Sequence, residues 1–337
     1  MSYKVAVVGA TGNVGREILS TLAQREFPIS DIIALASQDS IGKEVSFGED
    51  TILQIQNLQD FDFEGVDFVF SSAGSSVAQE FAPRAARTGC IIIDNSSAFR
   101  MNPDVPLVVP EVNADSLEHF RNRNIISNPN CVAIPLTLVL KPLHDIAPIK
   151  RVVVSSYQST SGAGQKAMDE LFRQTRSIFM NSSVVKEEFP HQIAFNVFPH
   201  IGAFESDGFT GEERKVMDET KKILDPYIEV FATCVRVPVF IGHSLSVALE
   251  FESPLSESQA KQILKDAPGI EVLDNRKEES YVTPIDCVGE DSVFVSRIRE
   301  DPSVPYGLGL WIVSDNLRKG AALNSVQIAE TLIESYL

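Results

Sequence analysis

The 337-residue sequence contains no uninterrupted apolar run approaching the roughly 18 residues that a membrane-crossing helix needs. Met1-Ser2-Tyr3-Lys4 leads straight into a strand-like stretch without a signal-peptide pattern, so a cytoplasmic location is expected. Cysteine is scarce. Cys90, Cys131, Cys234 and Cys287 stand apart, with no C-x-x-C pair and no histidine at ligand spacing. This argues against a disulfide framework and against a metal site, leaving four free thiols. Positive charge is also short, with 29 Lys and Arg against 46 Asp and Glu, a net charge of −17. A surface of that sign repels nucleic acid and anionic membrane, so neither is expected as a partner. An anionic ligand would need a local basic pocket, which gives weight to any Lys or Arg in an apolar or glycine-rich setting. Internal repeats and low-complexity segments are absent.

What is present is a chain that is 44% hydrophobic and long enough for two domains with sizeable cores. Tyr3-Lys4-Val5-Ala6-Val7-Val8 reads as a buried parallel strand. Gly9-Ala10-Thr11-Gly12-Asn13-Val14-Gly15 follows, ahead of an amphipathic stretch from Arg16 to Gln24. A strand, a glycine turn and a helix start in that order aim backbone amides and the positive helix end at a phosphate. The spacing is G-x-x-G-x-x-G rather than the commoner G-x-G-x-x-G. A tight turn is the plain alternative, and the strand directly before Gly9 favours a dinucleotide site.

Further strand-like runs lie at Asp31 to Ala36, Val66 to Ser71, Ile91 to Asp94 and Ile125 to Ser127, with helical patterns such as Ser76 to Arg87 between them. That alternation predicts a doubly wound parallel sheet. After a helix predicted from Cys131 to Asp145 come Lys150 to Gln158, Val235 to Phe240 and Leu245 to Glu250, whose β-branched, alternating patterns predict an antiparallel sheet with one covered face. In the last segment, Ala322, Val326, Ala329 and Ile333 have helical spacing, which predicts a helix packed back on the first domain.

Cys131 follows Ser127-Asn128-Pro129-Asn130 and precedes a long apolar run. An asparagine cap at Asn130 would put the thiol at a helix N-terminus, which stabilises the nucleophilic thiolate. A buried structural cysteine is the other reading. In the second domain, Ser155 to Gly164 forms a strand ending in small hydrogen-bonding residues, able to approach a ligand closely or simply to join a strand to a helix. Arg236 lies among apolar residues, facing either solvent or a pocket in which its planar fork suits a carboxylate. His243, past Gly242, is the strongest of five histidines for proton transfer. Residues 176–192 are polar and include Asn181-Ser182-Ser183, a cover for the site or plain surface.

These pieces together resemble aspartate-semialdehyde dehydrogenase. The matching segments are Gly9-Ala10-Thr11-Gly12 with Val14-Gly15, Asn95-Ser96-Ser97 before Arg100, and Asn128-Pro129-Asn130-Cys131. They continue with Gln158 and Ser161 to Gly164, Glu212 to Lys215, Arg236 to His243, and Asp315 to Ala322. They run in order along essentially the whole chain. The resemblance implies an α/β fold: an N-terminal Rossmann-type doubly wound parallel sheet from residues 1–127 and 316–337, and an α+β catalytic and dimerisation domain from 128–315, as in glyceraldehyde-3-phosphate dehydrogenase.

It also implies NADPH-dependent reductive dephosphorylation of L-aspartyl 4-phosphate, leading to lysine, diaminopimelate, threonine, methionine and isoleucine, by a cytoplasmic homodimer. Cys131 would attack the acyl carbon, His243 would move the proton, and Gln158 would orient the acyl group. Arg236 would hold the α-carboxylate, Glu212 the α-ammonium, and Arg100 and Lys215 the phosphate. Gly9, Ala10, Thr11, Gly12, Asn13 and Val14 would line the pyrophosphate, with Ser161, Gly162 and Asn316 on the nicotinamide side.

One position departs from the family pattern Ala-Ser-x-Arg-Ser-x-Gly-Lys: the chain reads Ala36-Ser37-Gln38-Asp39-Ser40-Ile41-Gly42-Lys43. An acidic Asp39 would repel the 2′-phosphate of NADP and suit the ribose hydroxyl of NAD, while Ser37, Gln38 and Lys43 remain as phosphate partners. NADP is the expected cofactor and NAD the alternative. Two rival functions stand beside the first. N-acetyl-γ-glutamyl-phosphate reductase shares the chemistry but typically reads Pro-Gly-Cys-Tyr where this chain has Pro129-Asn130-Cys131-Val132. A catalytically inactive dinucleotide-binding relative would tend to lose the nucleophile or base, and here Cys131, Gln158, Arg236 and His243 are all retained.

Overall fold

The computed structural model describes residues 2–337, which fold as two compact units. One extends to Asn130 and resumes at Ala321–Leu337; the other is Cys131–Gly320. The breaks suggested by the sequence, 127/128 and 315/316, come a few residues earlier in each case.

The first unit contains β1 (Tyr3–Val8), α1 (Asn13–Gln24), β2 (Ile29–Ala36), β3 (Glu44–Phe47), β4 (Thr51–Asn57), β5 (Phe68–Ser71), α2 (Ser75–Ala86), β6 (Ile91–Asp94), α3 (Pro110–Asn113) and β7 (Ile125–Ser127). Its sheet runs β3-β4-β2-β1-β5-β6-β7, parallel throughout except for the antiparallel β3–β4 pair at one edge. Successive residues of β1 point to opposite faces and serve two cores. Val5 and Val7 join Ile18, Leu19 and Leu22 of α1, while Ala6 and Val8 join Ala78, Phe81, Ala82 and Ala85 from α2. Covering both faces requires strands apolar on both sides, which is why β1 reads as a continuous hydrophobic run. β2 and β5 flank β1, so the strand order reverses there and opens a crevice beyond the carboxyl end of β1. The last helix of the chain (Leu323–Ser335) returns to this unit, placing Val326, Ala329 and Leu332 in the same core as α1.

The second unit holds α4 (Ala133–Ile146), β8 (Ile149–Gln158), α5 (Gln165–Phe179), α6 (Gly211–Ile223), β9 (Glu229–Arg236), β10 (His243–Phe251), α7 (Glu257–Asp266), β11 (Ile270–Val272), β12 (Val293–Glu300) and β13 (Gly307–Ser314). The final helix is then α8. The sheet order is β11-β12-β13-β10-β8-β9. It is mixed rather than antiparallel, because β8 and β9 run parallel. The chain between them carries α5 and α6, and a long crossover is what a parallel pair requires. α4 is apolar nearly all round and is buried along most of its length.

Three local expectations change. Asn130 does not cap α4: Cys131 and Val132 form a turn, and Val132, already in helical geometry, is the N-cap, with no side-chain cap bond. The strand expected at Val235 to Phe240 lies earlier, at Glu229–Arg236, because Pro238 has no amide to offer and Gly242 turns with φ of 93°. His243 therefore begins β10 instead of trailing a strand. Residues 180–192 lack regular structure, yet buried side chains of α5 hold them down. Glu170 Oε2 accepts from the amides of Glu187 and Glu188, and Gln174 Oε1 from those of Ile193 and Ala194. This stretch is anchored surface.

Candidate active site

In the first unit, Gly9 turns out of β1 with φ of +77°, and a β-carbon there would lie 2.7 Å from Ser72 Oγ. A β-carbon on Gly15 would collide with the Gly9 carbonyl, so this glycine lets α1 lie close to the turn. Gly12 is the N-cap of α1; no side chain caps it, and the first turn carries no acidic residue. The turn opens on a cavity of about 570 Å³ whose lining includes Gly9, Thr11, Gly12, Ser37, Gln38 and Asp39. A helix start without a side-chain cap, a glycine floor and this volume fit the diphosphate of a dinucleotide. Asp39 is exposed on a short turn at the rim, and Glu80 also lines the space. Arg84, the cation of the lining, donates to the carbonyls of Leu58 and Gln59.

Arg100 is buried in the same unit. Its Nε donates to Asn128 O at 3.0 Å and its Nη2 to Asn95 O at 2.7 Å, bracing the loop that leads to Cys131.

The second unit gathers its polar residues at one end of the sheet. Gln158 closes β8 and pairs with Arg236 at the close of β9, while His243 opens β10 beside them. Arg236, expected either in solvent or in a pocket, is 5% exposed. Its Nη1 donates to Ser159 O at 2.5 Å, and Nε and Nη2 have no acceptor among the described residues. Burial lowers its pKa, while the charges of Glu212 and Cys131 pull the other way. Glu212 occupies the second position of α6, whose start is fixed by a capping box between Thr210 and Glu213. One carboxylate oxygen of Glu212 accepts from Gln158 Nε2 at 3.3 Å and the other from Lys215 Nζ at 3.2 Å. Gln158, Glu212 and Lys215 thus form one polar chain.

His243 is 1% exposed, and burial, reinforced by the Arg236 charge, lowers its pKa to about 3. Glu212 opposes this shift without overcoming it. Nδ1 is hydrogen-bonded to Ser159, and Nε2 has no partner among the described residues. Gly162 faces that nitrogen: a β-carbon there would lie 3.5 Å from Nε2 and 3.6 Å from Arg236 Nη1. Cys131 is partly exposed, and Gly320 packs against it closely enough that an added β-carbon would be 3.1 Å from the Cys131 β-carbon. Its charge reaches both Arg236 and Cys234. Asn316 and Ser161, expected near the nicotinamide, are buried and bonded to each other, with Asn316 Nδ2 donating to Ser161 Oγ at 2.9 Å. Among the described residues no group of three or more His, Cys, Asp or Glu could hold a metal.

Two family models cover most of the chain. Residues 4–120 match the semialdehyde dehydrogenase NAD binding domain, and residues 140–319 match the semialdehyde dehydrogenase dimerisation domain. The aspartate-semialdehyde dehydrogenase of Rickettsia bellii is 55% identical over 335 residues, covering 99% of both chains. The chain belongs to the aspartate-semialdehyde dehydrogenase family. The fold agrees: the crystal structure of aspartate semialdehyde dehydrogenase II from Vibrio cholerae complexed with ASA superposes with a TM-score of 0.97 at 44% identity, covering all of both chains. The aspartate semialdehyde dehydrogenase of Candida albicans, solved with NADP, gives a TM-score of 0.76 at 26% identity over 99% of each chain. Full-length matches of this kind do not favour the N-acetyl-γ-glutamyl-phosphate reductase alternative. Within the family frame, the sequence reading passed over Ser159 and Gly320, which touch His243 and Cys131 respectively. Only their neighbourhood in the motifs signalled them, since serine and glycine carry no distinctive pattern of their own.

Proposed function

We propose that the chain catalyses the NADPH-dependent reductive dephosphorylation of L-aspartyl 4-phosphate to L-aspartate 4-semialdehyde through a thioester on Cys131. The observation that carries this is the assembly at one sheet end of a buried arginine, a buried histidine with an unpartnered nitrogen, and a glutamine–glutamate pair, in the unit that also holds Cys131. Arg236 keeps two faces of its guanidinium for the substrate carboxylate. Glu212 receives the α-ammonium, and Gln158, held by Ser156 and Glu212, orients the acyl group. Lys215 and Arg100 serve the phosphate. Cys131 attacks the acyl carbon and phosphate departs. The Arg236 charge, which interacts with Cys131, favours the ionised sulfur. His243 meets the acyl oxygen through Nε2. When bound, the dinucleotide supplies the hydride that reduces the thioester.

Gly9, Ala10, Thr11, Gly12, Asn13 and Val14 hold the diphosphate, Ser37 and Gln38 lie at the adenosine end, and Ser161, Gly162 and Asn316 shape the nicotinamide side. The unit that extends to Asn130 and resumes at Ala321 serves as the dinucleotide-binding domain, and Cys131–Gly320 as the catalytic and dimerisation domain. The enzyme works as a homodimer, as the family description of that domain suggests, and in the cytoplasm, where four unpaired thiols persist.

The test is phosphate-dependent reduction of NADP by the purified protein with aspartate semialdehyde, run beside a Cys131→Ala variant. Turnover should vanish in the variant while NADP binding persists; retained turnover would exclude the thioester route.

A further inference from the structure

Within the first unit, three asparagines meet where the parallel strands end and α8 begins. Asn324, in the first turn of α8, and Asn128 are buried, and Asn95 is half-buried. Asn324 Nδ2 donates to Val108 O at 2.9 Å and to Asn128 Oδ1 at 2.7 Å. Asn128 Nδ2 donates to Asn95 Oδ1 at 3.0 Å, and Asn95 Nδ2 donates to Ser71 O, at the end of β5, at 2.9 Å. We infer that Asn324 is a positioning residue for Arg100: by fixing this chain of amides it holds the two carbonyls that clasp the guanidinium, and so aims Arg100 at the phosphate it is proposed to serve.

The direction of the chain is set at both ends. Val108 and Ser71 contribute backbone carbonyls, which can only accept. Val108 O therefore draws the amino group of Asn324, and Ser71 O draws the amino group of Asn95. Between them, Asn128 must turn its oxygen to Asn324 and its amino group to Asn95. The two demands agree, and no amide can turn over without setting oxygen against oxygen. Ser325 Oγ, the next side chain of α8, adds a second donor to Asn95 Oδ1 at 3.0 Å.

Asn95 and Asn128 are also the residues whose backbone oxygens receive Arg100, at 2.7 Å from Nη2 and 3.0 Å from Nε. Arg100 is buried, so these contacts govern which edge of the planar guanidinium an anion meets. Packing alone gives no reason for asparagine at position 324, since it forms helix poorly and its burial is costly without partners. The later turns of α8 use Val326, Ala329 and Leu332 against the core. Without the Asn324 amino group, two buried acceptors, Val108 O and Asn128 Oδ1, lose a donor. Asn128 is then free to turn, its bond to Asn95 fails, and both carbonyls that hold Arg100 shift with them.

The experiment is phosphate-dependent oxidation of aspartate semialdehyde by the full-length enzyme at about pH 8, where aspartate is ionised. It compares the wild type with Asn324→Asp, Asn324→Leu, Arg100→Ala and the double variant Arg100→Ala with Asn324→Leu. Aspartate keeps the outline of asparagine and turns an acceptor toward acceptors, whereas leucine keeps the outline without a polar atom. Each should raise KM for inorganic phosphate about 10-fold, leaving KM for the semialdehyde and for NADP within about twofold of the wild type. Leucine decides the matter where the buried charge of aspartate prevents folding. In the Arg100→Ala background, Asn324→Leu should raise KM for phosphate no further, because the two residues belong to one network. A general loosening of the fold would move the other constants as well and would add to the Arg100→Ala effect. An increase in phosphate KM with Arg100→Ala but not with either Asn324 substitution, or an additive double variant, would overturn the inference and leave the phosphate role of Arg100 standing. No change in phosphate KM with Arg100→Ala itself would overturn that role and the inference with it.

Discussion

Lowering the pH should weaken this protein through the His243 ring. In the unfolded chain a histidine titrates near 6.5, whereas burial and Arg236 bring the folded value to about 3. Between those values the unfolded state binds the extra proton, so stability is complete above about pH 6.5 and falls as pH drops toward 3. From pH 7 to pH 5 the loss from this one group is about 2 kcal/mol, because each unit of pH below 6.5 costs about 1.4 kcal/mol. The perturbation that isolates it is His243→Gln, which fills similar space and does not titrate. Urea unfolding of the wild type and the variant at both pH values gives the comparison, since every other titrating group contributes to both proteins. The wild type should lose about 2 kcal/mol more than the variant. Equal losses would mean that the ring is protonated in the folded state or reached by solvent, and the reasoning about its neutrality would fall.

Asp39→Arg at the rim of the nucleotide cavity should lower KM for NADPH relative to NADH, measured by initial rates with both cofactors; an unchanged ratio would mean that Asp39 points away from the adenosine end. Gly15→Ala should cost about 1–3 kcal/mol in thermal denaturation and weaken dinucleotide binding in a fluorescence titration, because the new β-carbon meets the Gly9 carbonyl. Glu213→Ala removes both the capping box of α6 and the acceptor of the Cys234 amide, and should cost about 1–3 kcal/mol by denaturant titration.

The sequence by itself determined the elements whose signals are local. The apolar run of β1, the glycine turn and the 3.6-residue spacing of the last helix each report on neighbours a few residues away, and each is found where the pattern put it. The family motifs likewise named Cys131, Gln158, Arg236 and His243 without reference to their surroundings. Tertiary structure decided everything that depends on distant partners. The direction of β9 follows from a crossover, and the start of α4 from a turn rather than from Asn130. Residues 180–192 lie on the surface, tied to α5 where buried Glu170 accepts the amides of Glu187 and Glu188 and Gln174 donates to the Val185 carbonyl. Arg236 is buried where its strand ends beside Ser159, 77 positions away, whose carbonyl its guanidinium meets. Nδ1 of His243 is met by the backbone amide of Ser159, 84 residues distant in sequence. Hydrogen-bond partners so far apart leave no trace in local pattern, since periodicity records only which face of an element is buried and not what meets it there.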